Sequence, residues 1–165
     1  MTASTPPHSA PASLATRYLM TIRVQAPMPR TLGTFPQGER RQVAFTAGTF
    51  EGADGTDLRG TLAAGGVDWQ TVRSDGAVEL RAHYLLLTDR DEAIEVQSDG
   101  IRIVPGDVAA RLAQGDPVDP TEYYFRTHIR LSTGALRLAH LNDRIAVSTG
   151  ERRPDAVHVH VHEVL

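Results

Sequence analysis

The chain has 165 residues, of which 41% are hydrophobic, and this is the length and composition of one globular domain with its own core. It contains no cysteine, which excludes disulfides, thiolate metal sites and a cysteine nucleophile. The net charge of −3 argues against nucleic-acid binding, and because all 17 basic residues are arginine, a lysine Schiff base is also excluded.

The first part of the chain, residues 1–16, is rich in Ser, Thr, Ala and Pro and has no hydrophobic periodicity. Such a segment buries too little apolar surface to offset its ordering entropy, so we expect a flexible tail followed by one domain over residues 17–165. The start of the chain does not resemble a signal peptide, and no apolar run reaches the roughly 20 residues of a transmembrane helix. We therefore expect a cytoplasmic protein that does not bind membranes.

From residue 17 onward, apolar and polar residues alternate in short runs, which is typical of β-strands. Asp-Gly pairs within 74–76 and 98–100 each separate two such runs, and each pair predicts a β-hairpin. The predicted strands cover residues 18–24, 42–46, 58–62, 68–73, 77–88, 93–97, 100–104, 123–131, 143–149 and 157–164.

One helical segment interrupts the strands. Residues 105–115 place Val108 and Leu112 four positions apart and end on Gly115. About two turns of helix are too short to cross over between parallel strands, so we expect the strands to be antiparallel. We favour a mainly β fold, a single antiparallel β-barrel of about eight strands with this helix near one barrel mouth. Such a barrel has room for side chains or one small ligand.

Seven short motifs resemble, in their combined spacing, the domain-of-unknown-function family numbered 3237. The resemblance covers about residues 18–165 and implies an antiparallel barrel similar to allene oxide cyclases and other calycin-like barrels, without implying a general activity. The chain departs from the pattern at His140, where an aromatic residue is expected, and in the histidines of its last strand. The motifs are Gly48–Gly52, Leu58–Gly60, Gly65–Trp69, Thr88–Asp89, Glu122–Thr127, Thr133–Gly134 and Leu141–Asn142.

Two carboxylates, Glu51 and Asp68, are candidate catalytic acids or bases. Both lie beside glycine-rich bends, where the backbone can bring a short carboxylate to a barrel mouth. A carboxylate in a dry pocket has a raised pKa and can transfer protons near neutral pH. The alternative is structural: Asp68 would cap the Gly65–Gly66 turn, and Glu51 would pair with an arginine.

Tyr124 and Arg126 are further catalytic candidates, since both lie on one face of a strand and could together bind an enolate, carboxylate or phenolate oxygen. The opposite face of the strand is more apolar. If that face fills the barrel, Arg126 lies outside or at a rim.

Five residues are candidate ligand contacts, each with a structural alternative. Tyr84 and Arg102 each place one polar group among apolar neighbours, as in many small-molecule sites; Tyr84 could instead fill the core, and Arg102 could form an outward ion pair. The single tryptophan, Trp69, could form a ligand-facing wall or anchor the core. Asn142 could bind a carbonyl or form a turn. His140 is included because it departs from the family pattern.

Three histidines at alternate positions share one face of the last predicted strand, with valines on the other. Imidazoles two residues apart on a strand can bind one metal ion, given a third ligand. Because the valines alternate so regularly, we expect them to form the core face and the histidines to point outward, and we expect no native metal site. The histidines are His158, His160 and His162, and the possible third ligands are His83, His128 and His140.

The chain has no nucleophile elbow, phosphate-binding loop, dinucleotide-binding turn or zinc-protease helix. The leading hypothesis is a cofactor-free small-molecule enzyme, an isomerase, cyclase or hydro-lyase of the kind found in secondary metabolism, using acid–base groups in the barrel cavity. The alternatives are a non-catalytic carrier or sensor of a small ligand and, third, a metal-dependent enzyme built on the histidine strand. We also expect a homodimer, since small barrels often associate through their outer faces.

Overall fold

The computed structural model describes residues 13–154 and 156–165, and in this part of the chain one sheet contains eleven β-strands. The expected tail lies largely outside the described residues, and the first strand begins at Thr16. The strands are β1 (Thr16–Gln25), β2 (Arg30–Phe35), β3 (Gly38–Ala44), β4 (Ala47–Gly52), β5 (Arg59–Leu62), β6 (Val67–Val72), β7 (Val78–Thr88), β8 (Ala93–Ile103), β9 (Tyr124–Thr133), β10 (Ile145–Arg152) and β11 (Ala156–Val164). The helical elements are α1 (Gly106–Gln114) and two 3₁₀ segments, Pro120–Glu122 and Leu136–Asp143.

Every strand pairing is antiparallel, and the pairings close a ring. From β1 the ring runs through β11, β10, β9 and β8 to β7, and it returns through β5 and β4. The long strand β7 pairs with β5 at one end and β6 at the other, and β6, β3 and β2 extend the sheet there. The predicted antiparallel barrel of about eight strands is confirmed.

Alternate residues of the strands, most of them apolar, point into the barrel. In β9, Phe125, Thr127, Ile129 and Leu131 are buried. The residues that alternate with them are exposed, namely Tyr124, Arg126, His128 and Arg130. This is the arrangement that alternation predicts, because successive side chains of a strand point to opposite faces. Each fully buried aliphatic side chain contributes about 1.5–3 kcal/mol of hydrophobic stabilisation.

One of the two predicted Asp-Gly hairpins is confirmed, and the other is wrong. Asp75 and Gly76 form the turn between β6 and β7, where Asp75 accepts a hydrogen bond from the backbone of Ala77. Ser98 and Gly100 instead lie inside β8, which continues to Ile103 and pairs with both neighbours along this stretch. Glycine is required there for close packing, because a Cβ on Gly100 would lie 2.3 Å from the backbone oxygen of Arg126.

The predicted helix is confirmed as α1. It ends at Gly115, whose φ of 82° is the left-handed conformation that glycine adopts without strain. Val108 packs under the helix against Leu80 and Phe125, at one end of the barrel. None of the helices in the described ranges combines the length and apolar character that crossing a membrane requires.

Candidate functional site

The barrel encloses a mainly apolar cavity that also presents several polar side chains. Its volume is about 60 Å³, counted as the space that the centre of a water molecule can occupy. This is room for several water molecules or for part of a ligand. The apolar lining is Val24, Ala26, Val43, Phe45, Leu80, Ala82, Phe125, Val157 and Val159, and the polar lining is Asp68, Gln70, Tyr84, Ser98, Arg102, Thr127 and Arg152.

Asp68 is the only carboxylate in the described lining of this cavity, and it is 8% exposed. It lies on the inner face of β6, where Gln70 Nε2 donates to Oδ2 over 2.6 Å and the backbone N–H of Arg81 donates to Oδ1 over 3.1 Å. Burial raises the pKa of Asp68, and these two hydrogen bonds and the charge of Arg102 oppose that rise. The carboxyl is therefore held in place while its environment favours taking up a proton.

Arg102 and Tyr84 line the same cavity as Asp68. The charged atoms of Arg102 and Asp68 are not within the 4.0 Å of an ion pair, although each charge affects the other's pKa. Burial is the main cause that lowers the pKa of Arg102, and burial together with the negative charge of Asp68 raises the pKa of Tyr84 well above its usual value. Tyr84 is held edge-on against Phe45, with ring centroids 5.4 Å apart. The cavity thus brings together a carboxyl group, a guanidinium group and a phenol hydroxyl.

Two hydroxyl side chains, Ser98 and Thr127, also line the cavity. Thr127 shares a hydrogen bond of 2.7 Å with Ser148, which is buried but does not line the cavity. Ser98, also buried, lies on β8. The hydroxyls of Ser98 and Thr127 are neutral, so they can orient a ligand rather than carry charge.

A wider vestibule of about 530 Å³ opens between α1 and the ends of several strands. Gln70, Arg102 and Arg152 line both the cavity and this vestibule, so the two spaces meet at these three residues. The rest of the vestibule lining is Met28, Pro29, Arg41, Val104, Ala109, Leu112, Ala113, Gln114, Gly115, Arg153 and Pro154. The helix therefore lies at a barrel mouth, where the sequence predicts it.

The structure brings together three of the residues that the sequence singles out. Asp68, Tyr84 and Arg102 lie in one cavity, although they come from three different strands. The structural alternatives of an outward ion pair for Arg102 and of a turn cap for Asp68 do not describe their positions. Their chemical roles stay predictions.

The other three catalytic candidates lie on the outside of the barrel. The Glu51 side chain is 68% exposed, and its Oε2 lies 3.6 Å from a guanidinium nitrogen of Arg23. Tyr124 and Arg126 lie on the outer face of β9, where the Arg126 guanidinium packs 5.2 Å from the centre of the Tyr124 ring. Alternation puts these side chains opposite the buried set of their strands, so none of them reaches the cavity.

The remaining candidate ligand contacts also lie outside the cavity. Trp69 is 40% exposed because it points outward between Asp68 and Gln70. Asn142 lies on the second 3₁₀ segment and links it to the end of β9, accepting from the Thr133 N–H over 2.8 Å and donating to the Thr133 carbonyl over 3.0 Å. His140 is exposed on the second 3₁₀ segment.

The valine face of the last strand points into the barrel, as predicted, and Val157 and Val159 line the cavity. The histidines of β11 are on the outer face, where His160 Nδ1 lies 2.9 Å from Thr21 Oγ1. A carboxylate oxygen of Glu151 lies 3.5 Å from His160 Nε2. Over residues 13–154 and 156–165, no three His, Asp or Glu side chains are grouped so as to hold a metal ion.

Sequence reasoning missed Gln70, Ser98, Thr127 and Arg152. Gln70 could have been found, because it lies two residues from Asp68 and so shares its face of the strand. Arg152 could not, since nothing in the local pattern shows that the end of β10 meets the mouth beside α1.

Comparison with known proteins agrees with the fold. A UPF0311 protein of Rhodopseudomonas palustris is 32% identical over 153 residues, which cover 93% of this chain and 98% of the relative. A UPF0311 protein of Bradyrhizobium diazoefficiens is 33% identical with the same coverage.

Solved structures of other proteins share this fold. A crystal structure of a conserved protein of unknown function from R. palustris matches 94% of this chain and all of its own, with a TM-score of 0.84 and 32% identity. A β-barrel-like protein from Acinetobacter baumannii matches 96% of this chain and all of its own, with a TM-score of 0.79 and 32% identity. A protein from Penicillium herquei, described as an enzyme, matches 96% of this chain and all of its own with a TM-score of 0.70, but at 16% identity it shows the fold alone.

The family model described as "Protein of unknown function (DUF3237)" matches residues 14–164, nearly the whole chain. With the curated relatives above, this match shows that the chain belongs to the DUF3237 family.

Proposed function

We propose that this protein is a cofactor-independent enzyme that moves a proton within one small organic molecule bound in the barrel cavity. The reaction class is an isomerisation, a cyclisation or the elimination of water. The observation that carries the proposal is the buried Asp68 carboxyl, which faces the same cavity as Arg102 and Tyr84 without forming an ion pair there. A carboxylate and a cation held apart in a mainly apolar cavity are suited to act on a molecule placed between them.

In this mechanism, Asp68 takes a proton from a carbon next to a carbonyl group of the substrate. The electrons of the broken C–H bond move into an enolate, and its oxygen is stabilised by the Tyr84 hydroxyl and the Arg102 guanidinium. In an isomerisation or cyclisation, the proton returns to a second position of the same molecule. In an elimination, it is delivered to a departing hydroxyl group, which leaves as water.

The raised pKa of Asp68 supports this role, because a general base is most effective when its pKa is near the working pH. The raised pKa of Tyr84 supports its role in stabilising the enolate oxygen, because its hydroxyl stays protonated and able to donate a hydrogen bond. The mainly apolar walls lower the local dielectric constant and so strengthen both interactions.

The test is a screen of small carbonyl compounds with the full-length protein in deuterated water, read by mass spectrometry for deuterium uptake, changed mass or changed retention time. Asp68→Asn should lower turnover of any compound found by at least about 100-fold, the usual lower contribution of general acid–base catalysis. Glu51→Gln is the matched control, since it makes the same carboxyl-to-amide change on the outer face, and it should keep full turnover.

Turnover that survives in Asp68→Asn would overturn the proposed proton transfer. Saturable binding with every bound compound recovered unchanged and without deuterium would instead support the carrier hypothesis.

Two further expectations concern the compartment in which the protein acts and its oligomeric state. It would act in the cytoplasm, which cell fractionation tests, and it would form a homodimer, which light scattering of the purified protein tests. Neither expectation is needed for the chemistry proposed above.

A further inference from the structure

We propose that the substrate of this site is an organic anion whose carboxylate or phosphate is bound by Arg102 and Arg152, where the cavity meets the vestibule. This inference rests on the proposed function in one respect only: it takes the bound molecule to be the substrate. The reacting part of the molecule lies in the cavity beside Asp68, and the rest extends into the vestibule.

The vestibule is lined by positive charge. Its described lining contains four arginines and no carboxylate, although the whole chain has a net charge of −3. Two of these arginines have ion-pair partners: Arg41 pairs with Glu39 over 2.5 Å, and Arg153 pairs with Glu151 over 2.6 Å. Arg102 and Arg152 form no ion pair with any carboxylate among the described residues.

The arginines of the vestibule lie close to one another. Arg102 is close enough to Arg152 and Arg41 for their charges to lower its pKa, in addition to the larger effect of burial. Burying cations beside one another is unfavourable unless an anion balances them. The planar guanidinium group of arginine matches carboxylate and phosphate oxygens, with which it can form two parallel hydrogen bonds.

A buried acceptor without a partner among the described residues, Gln70 Oε1, lies where the cavity meets the vestibule. Gln70 lines both spaces and is 5% exposed, and its Nε2 is used by Asp68, but its Oε1 has no hydrogen-bond partner among the described residues. A buried acceptor without a partner is unfavourable, and a hydroxyl or N–H group of a ligand would supply the missing hydrogen bond. The substrate therefore carries such a donor as well as its anionic group.

The cavity is much smaller than the vestibule. The cavity is roughly a ninth of the vestibule in volume, with about 60 Å³ against about 530 Å³. Only a few atoms fit beside Asp68, so the body of the ligand lies in the vestibule. There, Val104 and Leu112 supply an apolar surface for it.

The experiment measures binding and does not require turnover. Full-length protein is titrated by calorimetry with naphthoate, with naphthamide, which has nearly the same shape without the charge, and with naphthyl phosphate. We expect at least one of the two anions to bind tenfold or more tightly than naphthamide. Whichever anion binds more tightly identifies a carboxylate or a phosphate as the preferred group, and either order supports the inference.

Two variants locate the binding. Arg152→Met and Arg102→Met should each reduce the preference for the anion to less than about threefold, since each removes one of two charge-assisted contacts. Arg59→Met is the matched control: its guanidinium pairs with Asp89 on the outside of the barrel, so the preference should be unchanged. Because Arg102 also packs 5.8 Å from the centre of the Phe125 ring, Arg152→Met gives an independent result should Arg102→Met fold poorly.

The inference is overturned if neither anion binds more tightly than naphthamide, including the case in which no probe binds, or if both variants keep the full preference. Asp68→Asn separates this inference from the proposed function. It should bind the anion at least as tightly as the wild type, because it removes a nearby negative charge. Retained anion preference together with full turnover in Asp68→Asn would refute the proton transfer and leave the anion site standing.

Discussion

Gln70 donates a hydrogen bond to Asp68 over 2.6 Å between Nε2 and Oδ2, from a position two residues further along the same strand. The spacing matters because residues two apart on a strand share a face, and here that face lines the cavity. The amide holds the carboxyl in one orientation and opposes the rise in its pKa that burial causes. The amide oxygen of Gln70, Oε1, has no hydrogen-bond partner among the described residues and is available to a ligand.

The first prediction concerns the pH dependence of stability. Burial raises the pKa of Asp68 in the folded protein above its unfolded value of about 3.9, so the folded state holds this proton more tightly. The contribution of Asp68 to stability is therefore fully present below that unfolded value and is lost as the pH rises through the folded pKa. Asp68→Asn removes this dependence. We expect the free energy of unfolding of the wild type, minus that of the variant, to fall as the pH rises from about 4 toward neutrality.

Urea unfolding at a series of pH values measures this difference. Glu51→Gln is the control for a carboxyl-to-amide change on the exposed face. A wild-type minus Asp68→Asn difference that rises with pH would mean that the folded protein favours the ionised carboxyl.

The second prediction concerns the amide of Gln70. Gln70→Leu removes the donor that favours the ionised form of Asp68, so the pKa of Asp68 should rise further. Carbon-detected NMR of the Asp68 carboxyl should show its titration at higher pH than in the wild type. Gln97→Leu, the same change on the exposed face of β8, should leave the titration where it is. An Asp68 titration that does not move in Gln70→Leu would show that this hydrogen bond has no influence on the ionised form.

The third prediction tests the continuous path of β8 through Gly100. In Gly100→Ala the new methyl group would lie 2.3 Å from the backbone oxygen of Arg126, so β8 and β9 must separate. We expect a loss of about 1–3 kcal/mol in the free energy of unfolding, the usual cost of overpacking. Gly134→Ala is the control, because its Cβ would meet no atom within 4 Å and should cost much less.

Thermal or urea unfolding compares the two glycine variants. Equal stabilities would contradict the close approach of β8 and β9, and would be expected if Gly100 lay in an open hairpin turn.

The fourth prediction concerns the buried hydrogen bond between Thr127, which lines the cavity, and Ser148. Ser148→Ala leaves the Thr127 hydroxyl without its partner and should cost about 1–3 kcal/mol, because that group stays buried. Thr127→Val with Ser148→Ala removes both hydroxyls, so the double variant should be less destabilised than the sum of the single variants. Urea unfolding of all four proteins measures the coupling. Strict additivity would show that the hydrogen bond contributes nothing to stability.

Local patterns in the sequence predict much of the barrel. The apolar and polar alternation of β9 places Phe125 and Arg126 on opposite faces and favours the apolar face as the inner one, and the valines of β11 are predicted correctly by the same rule. The α1 helix is also predicted from local signals. These predictions succeed because burial of apolar surface acts on each strand in the same way, whatever its neighbours are.

The second hairpin shows where local reading fails. An Asp-Gly pair has the same turn propensity within 98–100 as within 74–76, but the stretch through Gly100 pairs with two neighbouring strands along its length. Those pairings and the close contact with β9 outweigh the preference for a turn.

Local patterns in the sequence were enough to predict the fold class, the apolar faces of the strands, and Asp68, Tyr84 and Arg102 among the candidate residues. The three-dimensional structure shows that these three share one cavity, that Glu51 and Trp69 do not reach it, and that Arg152 and Gln70 complete its mouth. The difference arises because the sheet closes on itself. Side-chain direction is a property of each strand and can be read locally, whereas the meeting of side chains from different strands depends on register and on which strand ends meet once the sheet closes on itself.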